Sequence, residues 1–154
     1  MSTLKILVGT MTSTADYVAQ AIQMDCADLV DNIEVQMMDD LDISAFDDTE
    51  CLYLICTSTY GSGDVPDNAR ALYDSLDTNP KFLGHVRYGV IALGDSTYMQ
   101  TFCFGGKKFD ERLSGLGAKR VGEVWCHNAS EGTLPETEGA AWCREWLTSA
   151  LVEV

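Results

Sequence analysis

The feature that most constrains this chain is the regular alternation of short strand-like runs with segments of helical spacing. The strand-like runs occur at residues 4–8, 32–38, 51–56, 87–93 and 120–125, and between them apolar residues recur every three or four positions. Strands that alternate with helices pair in parallel through right-handed crossovers, which place helices on both faces of the sheet. The sequence therefore predicts an α/β fold built on a five-stranded parallel sheet.

The residue patterns within these segments refine the prediction. Residues 51–56 are almost wholly apolar, as a strand covered on both faces should be, whereas residues 32–38 alternate polar and apolar side chains, which is typical of an edge strand. In the second half of the chain, Phe109 and Leu113 belong to one helical stripe, and we expect that helix to stop at Gly117.

A loop rich in hydroxyl groups joins the first strand to the first helix. Thr10, Thr12, Ser13 and Thr14 lie between Gly9 and the helical spacing that follows. The unpaired amides and positive dipole of a helix N-terminus favour an anion, and the hydroxyl groups add neutral donors in a loop that has no Lys or Arg. Ser and Thr at such a turn are also ordinary helix N-caps, so the loop by itself is compatible with a phosphate site or with a cap.

Two further unusual loops follow the third and fourth strands. In open parallel sheets the ligand crevice lies beyond the carboxyl ends of the strands, where the strand order reverses, so all three loops should meet at one edge. The second loop places Tyr60 between Thr59 and Gly61, and the third contains Tyr98 and Phe102. Two aromatic rings from separate loops beside a phosphate cradle predict a flat ring held between them, although surface tyrosines in long loops would give the same pattern.

The length and charge of the chain bear on its partners. Its 154 residues are enough for one domain, which we expect to span residues 1–154, and the net charge is −14. That charge argues against nucleic acid and favours a partner with a basic patch, although acidity that serves only solubility is an equally open interpretation. No segment has the length of a membrane span. We therefore expect a monomer with neither a nucleic-acid nor a membrane partner.

The cysteines and histidines do not form a metal-binding pattern. None of the six cysteines belongs to a C-x-x-C pair, and His85 and His127 lie far apart in the sequence. The first strand-like run begins within three residues of Met1, which leaves no room for a signal peptide, so we expect a cytoplasmic protein with reduced thiols. Three cysteines in apolar runs are expected to be small core residues: Cys51, Cys56 and Cys126.

At its three unusual loops the chain resembles the flavodoxin family, most closely the short MioC-type flavodoxins, and it is similar to the FMN domains of diflavin reductases. Residues 10–15 resemble the family's phosphate loop, residues 58–68 match the pattern S-T-Y-G-x-G-D-x-P-D-N, and residues 93–103 resemble the loop over the other face of the flavin ring. The resemblance covers essentially the whole chain. It implies a flavodoxin-like three-layer α/β/α sandwich whose five-stranded parallel sheet has the strand order 2-1-3-4-5.

The resemblance also implies that the cofactor is FMN, bound without a covalent link and without a metal or a catalytic residue. The residues expected to bind it are Thr10, Met11, Thr12, Ser13, Thr14, Ala15, Ser58, Thr59, Tyr60, Gly61, Gly63, Leu93, Gly94, Asp95, Tyr98, Phe102 and Cys103. One departure is Ser13, which stands where the family usually has glycine. If the backbone there has a positive φ, Ser13 would be strained by about 1 kcal/mol and FMN affinity would fall; if φ is ordinary, Ser13 adds a donor.

The function implied by the resemblance is single-electron transfer. The expected donor is a ferredoxin- or flavodoxin-NADP reductase, and for MioC-like members the expected acceptor is biotin synthase, both meeting an acidic surface. One alternative is a small FMN-dependent NAD(P)H quinone or nitro reductase, although the chain has no G-x-G-x-x-G loop. A flavin-free interaction domain is a second alternative. A phospho-receiver domain is set aside, because Gly9, Thr10, Thr57 and Ser58 occupy the positions where it needs acidic residues.

Overall fold

The computed structural model describes residues 3–9, 14–39, 41–47, 51–57, 67–78, 81–94, 103–128 and 134–152. The strands are β1 (Thr3–Gly9), β2 (Asn32–Met37), β3 (Cys51–Thr57), β4 (Arg87–Gly94), β5 (Lys119–Arg120) and β6 (Trp125–Asn128). The α-helices are α1 (Thr14–Asp25), α2 (Arg70–Thr78), α3 (Phe104–Gly115) and α4 (Pro135–Val152), and short 3-10 helices span Ile43–Phe46 and Asp67–Ala69. Within these ranges no helix combines the length and the apolar character needed to cross a bilayer.

The strands form one parallel sheet in the order β2-β1-β3-β4-β5, with β6 also paired to β4. This confirms the expected fold class and strand order, with β2 at one edge of the sheet. The prediction of one continuous fifth strand over residues 120–125 is wrong in detail, since the strand is divided into β5 and β6. Gly122 adopts a φ of +73° at the break, and the indole N–H of Trp146 in α4 donates to the Val121 carbonyl at 2.7 Å.

Each face of the sheet carries its own apolar core. Side chains alternate between the faces along a strand, so in β1 Ile6 packs beneath α1 and α4, while its neighbour Leu7 packs on the side of α2 and α3. Both side chains are fully buried. Burial on both faces accounts for the almost continuous apolar sequence of β3 and β4.

Helix α3 lies unusually close to β4, because its first turn contains glycine. A Cβ atom added at Gly106 would stand 2.5 Å from the Ala92 Cβ and 3.1 Å from the Ala92 Cα. At its other end the helix terminates as the sequence predicted: Gly117 has a φ of +95°, and the Ala118 amide donates to the Leu113 carbonyl at 3.1 Å.

A matched pair of substitutions in α3 tests this packing. Gly106→Ala should lower the free energy of unfolding by about 1–3 kcal/mol, because the methyl group would force the helix away from β4. Gly115→Ala should raise it by about 0.5–1 kcal/mol, because that position has open space and alanine is the better helix former. Urea unfolding of the two variants measures both changes; equal effects of the same sign would contradict the close approach.

Candidate functional site

The carboxyl ends of the central strands lie level with one another. Gly9, at the end of β1, pairs with Thr57 at the end of β3, and Thr57 pairs with Ala92 in β4. Gly94, at the end of β4, pairs with Asn128 at the end of β6. Helices α1, α3 and α4 begin after β1, β4 and β6, so their N-termini stand at this same carboxyl edge. Because the connections run to opposite sides from β1 and β3, the ligand crevice expected of such a sheet lies between those two strands.

The N-terminus of α1 is fixed to β3 by a buried thiol. Ala15, the second residue of the helix, is fully buried, and the Cys56 thiol donates to its carbonyl at 3.5 Å. Burial raises the pKa of the Cys56 thiol, so it remains a neutral donor. The first helical turn of α1 carries the acidic residue Asp16, and four residues separate it from the last residue of β1. An anion at this helix end would therefore be held by amides and hydroxyl groups.

A side-chain amide joins the start of the second helical segment to the end of β1. The Asn68 amide nitrogen lies 3.2 Å from the Val8 carbonyl oxygen and 3.2 Å from an Asp39 carboxylate oxygen. The Met38 backbone amide donates to the same Val8 carbonyl at 2.9 Å. Asn68 thereby ties together the ends of β1, β2 and the loop that follows β3. In the sequence, Asn68 is only the last residue of the S-T-Y-G-x-G-D-x-P-D-N pattern, and no neighbouring residue indicates this bridging role.

The end of β1 has no room for a side chain. A Cβ atom at Gly9 would stand 2.6 Å from the Thr57 hydroxyl oxygen and 3.1 Å from both the Met38 sulfur and the Ala69 Cβ. Thr57 itself is fully buried. Glycine at this position lets β1, β3 and the 3-10 turn before α2 close around the base of the crevice.

The third loop ends at a cysteine in an uncommon backbone conformation. Cys103 is the N-cap residue of α3, has a φ of +59° and is fully buried. Among the described residues it is the one non-glycine residue with positive φ. Its thiol donates to the Ala92 carbonyl at 3.3 Å, which fixes the loop end against β4. A hydrogen bond from Cys103 lowers the pKa of the neighbouring Cys126 thiol, with a further lowering by the charge of Lys107.

Five of the predicted site residues fall in the described part of the chain, and all five lie at the carboxyl edge. Thr14 begins α1 and Ala15 follows it, Leu93 and Gly94 end β4, and Cys103 caps α3. The other predicted site residues lie outside the described residues, and so does the backbone on which the Ser13 prediction depends: Thr10, Met11, Thr12, Ser13, Ser58, Thr59, Tyr60, Gly61, Gly63, Asp95, Tyr98 and Phe102.

Charge is distributed unevenly around this edge. On the face of α1 and α4, acidic residues occupy the first turn of both helices: Asp16, Glu136 and Glu138. On the face of α2 and α3, basic residues occupy the corresponding turns: Arg70, Lys107 and Lys108. Among these described helix starts, the carboxylates therefore lie on the α1/α4 side and the basic groups on the α2/α3 side, where the Asp39 carboxylate also lies.

These features fit FMN. The phosphate of FMN needs donors, which the amides at the N-terminus of α1 supply at the carboxyl edge, and Gly94, at the end of β4, carries no side chain that would occupy that edge. In the described part of the chain, no three His, Cys, Asp or Glu residues stand together as a metal site would need.

Substitution of Asn68 tests its bridging role. Asn68→Ala should lower the free energy of unfolding by about 1 kcal/mol at pH 7, because two acceptors lose a donor. Asn68→Asp should cost about 2 kcal/mol, because a second carboxylate then faces Asp39.

The difference between these two variants should vanish as the pH falls below about 4, where carboxylates become protonated and the repulsion ends. Urea titrations at pH 7 and pH 3.5 measure it. Equal stability of the two variants at both pH values would rule out the contact with Asp39 and Val8.

Comparison with known proteins agrees with this architecture. The family described as Flavodoxin matches residues 6–142. Flavodoxin YqcA of Escherichia coli K12 is 38% identical over 149 residues, which cover 96% of this chain and 98% of that protein. Protein MioC of Escherichia coli O157:H7 is 28% identical over 150 residues, with 96% and 97% coverage.

A solved structure leads to the same conclusion. A cysteine-to-serine mutant of flavodoxin from Pseudomonas aeruginosa superposes with a TM-score of 0.80 at 31% sequence identity, covering 96% of this chain and 97% of that one. Family match, sequence identity and structural similarity all extend over nearly the whole chain. The chain therefore belongs to the flavodoxin family, whose members are FMN-binding flavoproteins of electron transport.

Proposed function

We propose that this protein is a single-electron carrier, not itself an enzyme, that holds FMN at the carboxyl edge of its sheet and passes electrons from a reductase to an acceptor enzyme. The observation that carries the proposal is the convergence of level strand ends with the N-termini of α1 and α3 at that edge. Ligands of open parallel sheets bind at this position. We take residues 1–154 as one domain with this single function.

The proposed roles of the binding residues follow from their chemistry. The hydroxyl groups of Thr10, Thr12, Ser13 and Thr14, together with Ser58 and the amides of α1, hold the phosphate. Tyr60 and Tyr98 stack on the two faces of the flavin ring. Peptide groups at Thr59, Gly61, Gly94, Asp95 and Cys103 meet the polar edge of the ring, and Met11, Ala15, Gly63, Leu93 and Phe102 complete the walls.

When bound, FMN supplies a redox centre that takes up and releases electrons one at a time. The charges of the chain influence the free energy of adding each electron to the flavin. A net charge of −14 opposes further negative charge at the site, because the local dielectric is lower than that of water. The first turn of α1 contains no positively charged side chain that would offset this repulsion. We expect the second electron to enter at a low potential for this reason.

The proposed partners are a ferredoxin- or flavodoxin-NADP reductase as donor and a redox enzyme such as biotin synthase as acceptor, with the protein acting as a cytoplasmic monomer. The acidic α1/α4 half of the carboxyl edge supports this proposal, since a basic patch on the partner would be attracted to it. All six cysteines are free thiols, as a reducing compartment requires.

Removing the proposed stacking rings tests the flavin site. Tyr60→Ala and Tyr98→Ala should each weaken FMN binding about 10- to 100-fold, because stacking on an aromatic side chain contributes on the order of 1–3 kcal/mol. Phe82→Ala is the control: Phe82 is 81% exposed and packs against Gly84 and Gly117, at the edge opposite the site. Quenching of flavin fluorescence on titration into the colourless apoprotein measures the affinities.

If the wild-type chain does not take up FMN, or if Phe82→Ala weakens binding as much as the tyrosine variants, the proposed site is wrong. Mixing the FMN-loaded protein with NADPH and a quinone, without a reductase, separates the carrier from a direct reductase. Rapid turnover in that mixture would contradict the carrier proposal.

Charge steering makes a separate prediction about the donor. The rate of reduction by a basic flavoprotein reductase should fall as salt rises from about 0.02 to 0.5 M, because screening shortens the range of attraction. At low salt, Glu136→Gln should slow reduction about twofold, since it removes a charge from the acidic half of the edge. Asp77→Asn removes the same charge near the C-terminus of α2, at the opposite edge, and should leave the rate unchanged.

Stopped-flow absorbance of the flavin gives these rates. A salt-independent rate, or equal slowing by the two variants, would show that the acidic half of the carboxyl edge does not guide the reductase.

A further inference from the structure

The described chain contains two pairs of neighbouring cysteines whose thiol groups have no role in the proposed flavin site. Cys103 and Cys126 stand at the N-terminus of α3, and Cys26 and Cys143 stand between α1 and α4. In each pair one thiol is close enough to lower the pKa of the other, that of Cys126 or of Cys26, and all four are free thiols. The pairs differ in exposure: Cys26 and Cys143 are fully buried, whereas Cys126 is half-buried and open in part to solvent.

The geometry of the sheet places Cys103 and Cys126 on the same side of Ala92. Cys126 is the register partner of Ala92 across the β4–β6 pair, so the two side chains project from the same face of the sheet. Cys103 donates its thiol proton to the Ala92 carbonyl at 3.3 Å, and all three residues belong to the core beneath α2 and α3. The Cys103 sulfur therefore lies 3.3 Å from the carbonyl oxygen of the register partner of Cys126, in the core to which both cysteine side chains contribute.

The surroundings of this pair favour a thiolate on Cys126. The Cys103 thiol has a single proton and two nearby acceptors, the Ala92 carbonyl and the Cys126 sulfur, so it can turn to the latter when Cys126 is ionised. Lys107 adds a positive charge, and the N-terminus of α3 begins at the next residue after Cys103. A helix N-terminus and a lysine are the features that make cysteines reactive.

We infer that Cys126 and Cys103 form a reversible redox-active dithiol, in which Cys126 attacks a small uncharged peroxide and Cys103 resolves the product to a disulfide. An uncharged oxidant fits a protein of net charge −14, and a small one fits a half-buried sulfur. The inference concerns the protein's own sulfur atoms and holds whether or not FMN binds.

The reaction balances with hydrogen peroxide as the oxidant. The Cys126 thiolate attacks one peroxide oxygen, the O–O bond breaks, and the departing hydroxide takes up a proton to become water, which leaves Cys126 as a sulfenic acid. The Cys103 sulfur then attacks the Cys126 sulfur, the S–O bond breaks, and a second water leaves with the Cys103 proton. Two thiols are oxidised by two electrons in all, and one peroxide is reduced to two waters.

Peptide mapping under non-reducing conditions tests the inference directly. The full chain as purified, treated with one equivalent of hydrogen peroxide at pH 7, should yield a linked Cys103–Cys126 peptide that disappears with dithiothreitol. Cys126→Ser should abolish the link, and Cys143→Ser, which breaks the buried pair instead, should retain it. With Cys103→Ser, a 1,3-diketone should trap the sulfenic acid on Cys126.

The pH dependence of alkylation gives an independent readout. The midpoint for reaction of Cys126 with iodoacetamide should lie below the value of about 8.5 found for a free cysteine. Cys103→Ala removes the hydrogen-bond donor and should slow alkylation at pH 7 about threefold, since the gain in thiolate is partly offset by lower nucleophilicity. Lys107→Gln keeps both sulfur atoms but removes the nearby positive charge, and it should shift the midpoint of Cys126 alkylation upward.

Three results would overturn the inference. In peptide mapping, the first is a peroxide-treated wild type in which Cys103 remains a thiol while Cys126 is oxidised beyond the sulfenic acid, and the second is a linked Cys26–Cys143 peptide instead of the Cys103–Cys126 peptide. The third is an alkylation midpoint of Cys126 at or above that of a free cysteine. Because mapping and alkylation need no flavin, the same measurements on protein stripped of FMN separate failure of this inference from failure of the flavin proposal.

Discussion

The parallel register of the sheet is the constraint on which the rest of the structure depends. Pairing Gly9 with Thr57 and Gly94 with Asn128 sets the ends of the central strands level, and it also fixes which side chains enter each of the two cores. A slip by one residue would exchange the faces of a strand and move its loop out of line with the others. The core and the carboxyl edge are therefore consequences of one arrangement of backbone hydrogen bonds.

Neutral groups hold that edge together. Backbone carbonyls of Val8, Ala15 and Ala92 accept bonds from the Asn68 amide, the Cys56 thiol and the Cys103 thiol. Such bonds satisfy buried carbonyls without placing charge in a low-dielectric region. Charged side chains lie instead at the starts of the helices, with the carboxylates Asp16, Glu136 and Glu138 on the α1/α4 side.

The two cysteine pairs illustrate how burial decides chemistry. Cys26 and Cys143 neighbour each other as Cys103 and Cys126 do, but both are fully buried between α1 and α4. A nucleophile that no oxidant can reach acts as a small core residue. The apolar run around Cys126 predicts that role for Cys126 as well, but β6 lies at the margin of the sheet and leaves the side chain half-buried.

The fold class follows from the residue pattern alone, because the apolar period of each segment dictates a strand or a helix and their alternation permits few topologies. The sequence also determines the family, since the three loop patterns are local in sequence, and the helix stop at Gly117. The break in the fifth strand depends on long-range packing, because the indole of Trp146 in a distant helix bonds to Val121 there. The same holds for the bridging role of Asn68 and for the pairing of Cys103 with Cys126. Each contact joins residues that are distant in the sequence and become neighbours only through the register of the strands.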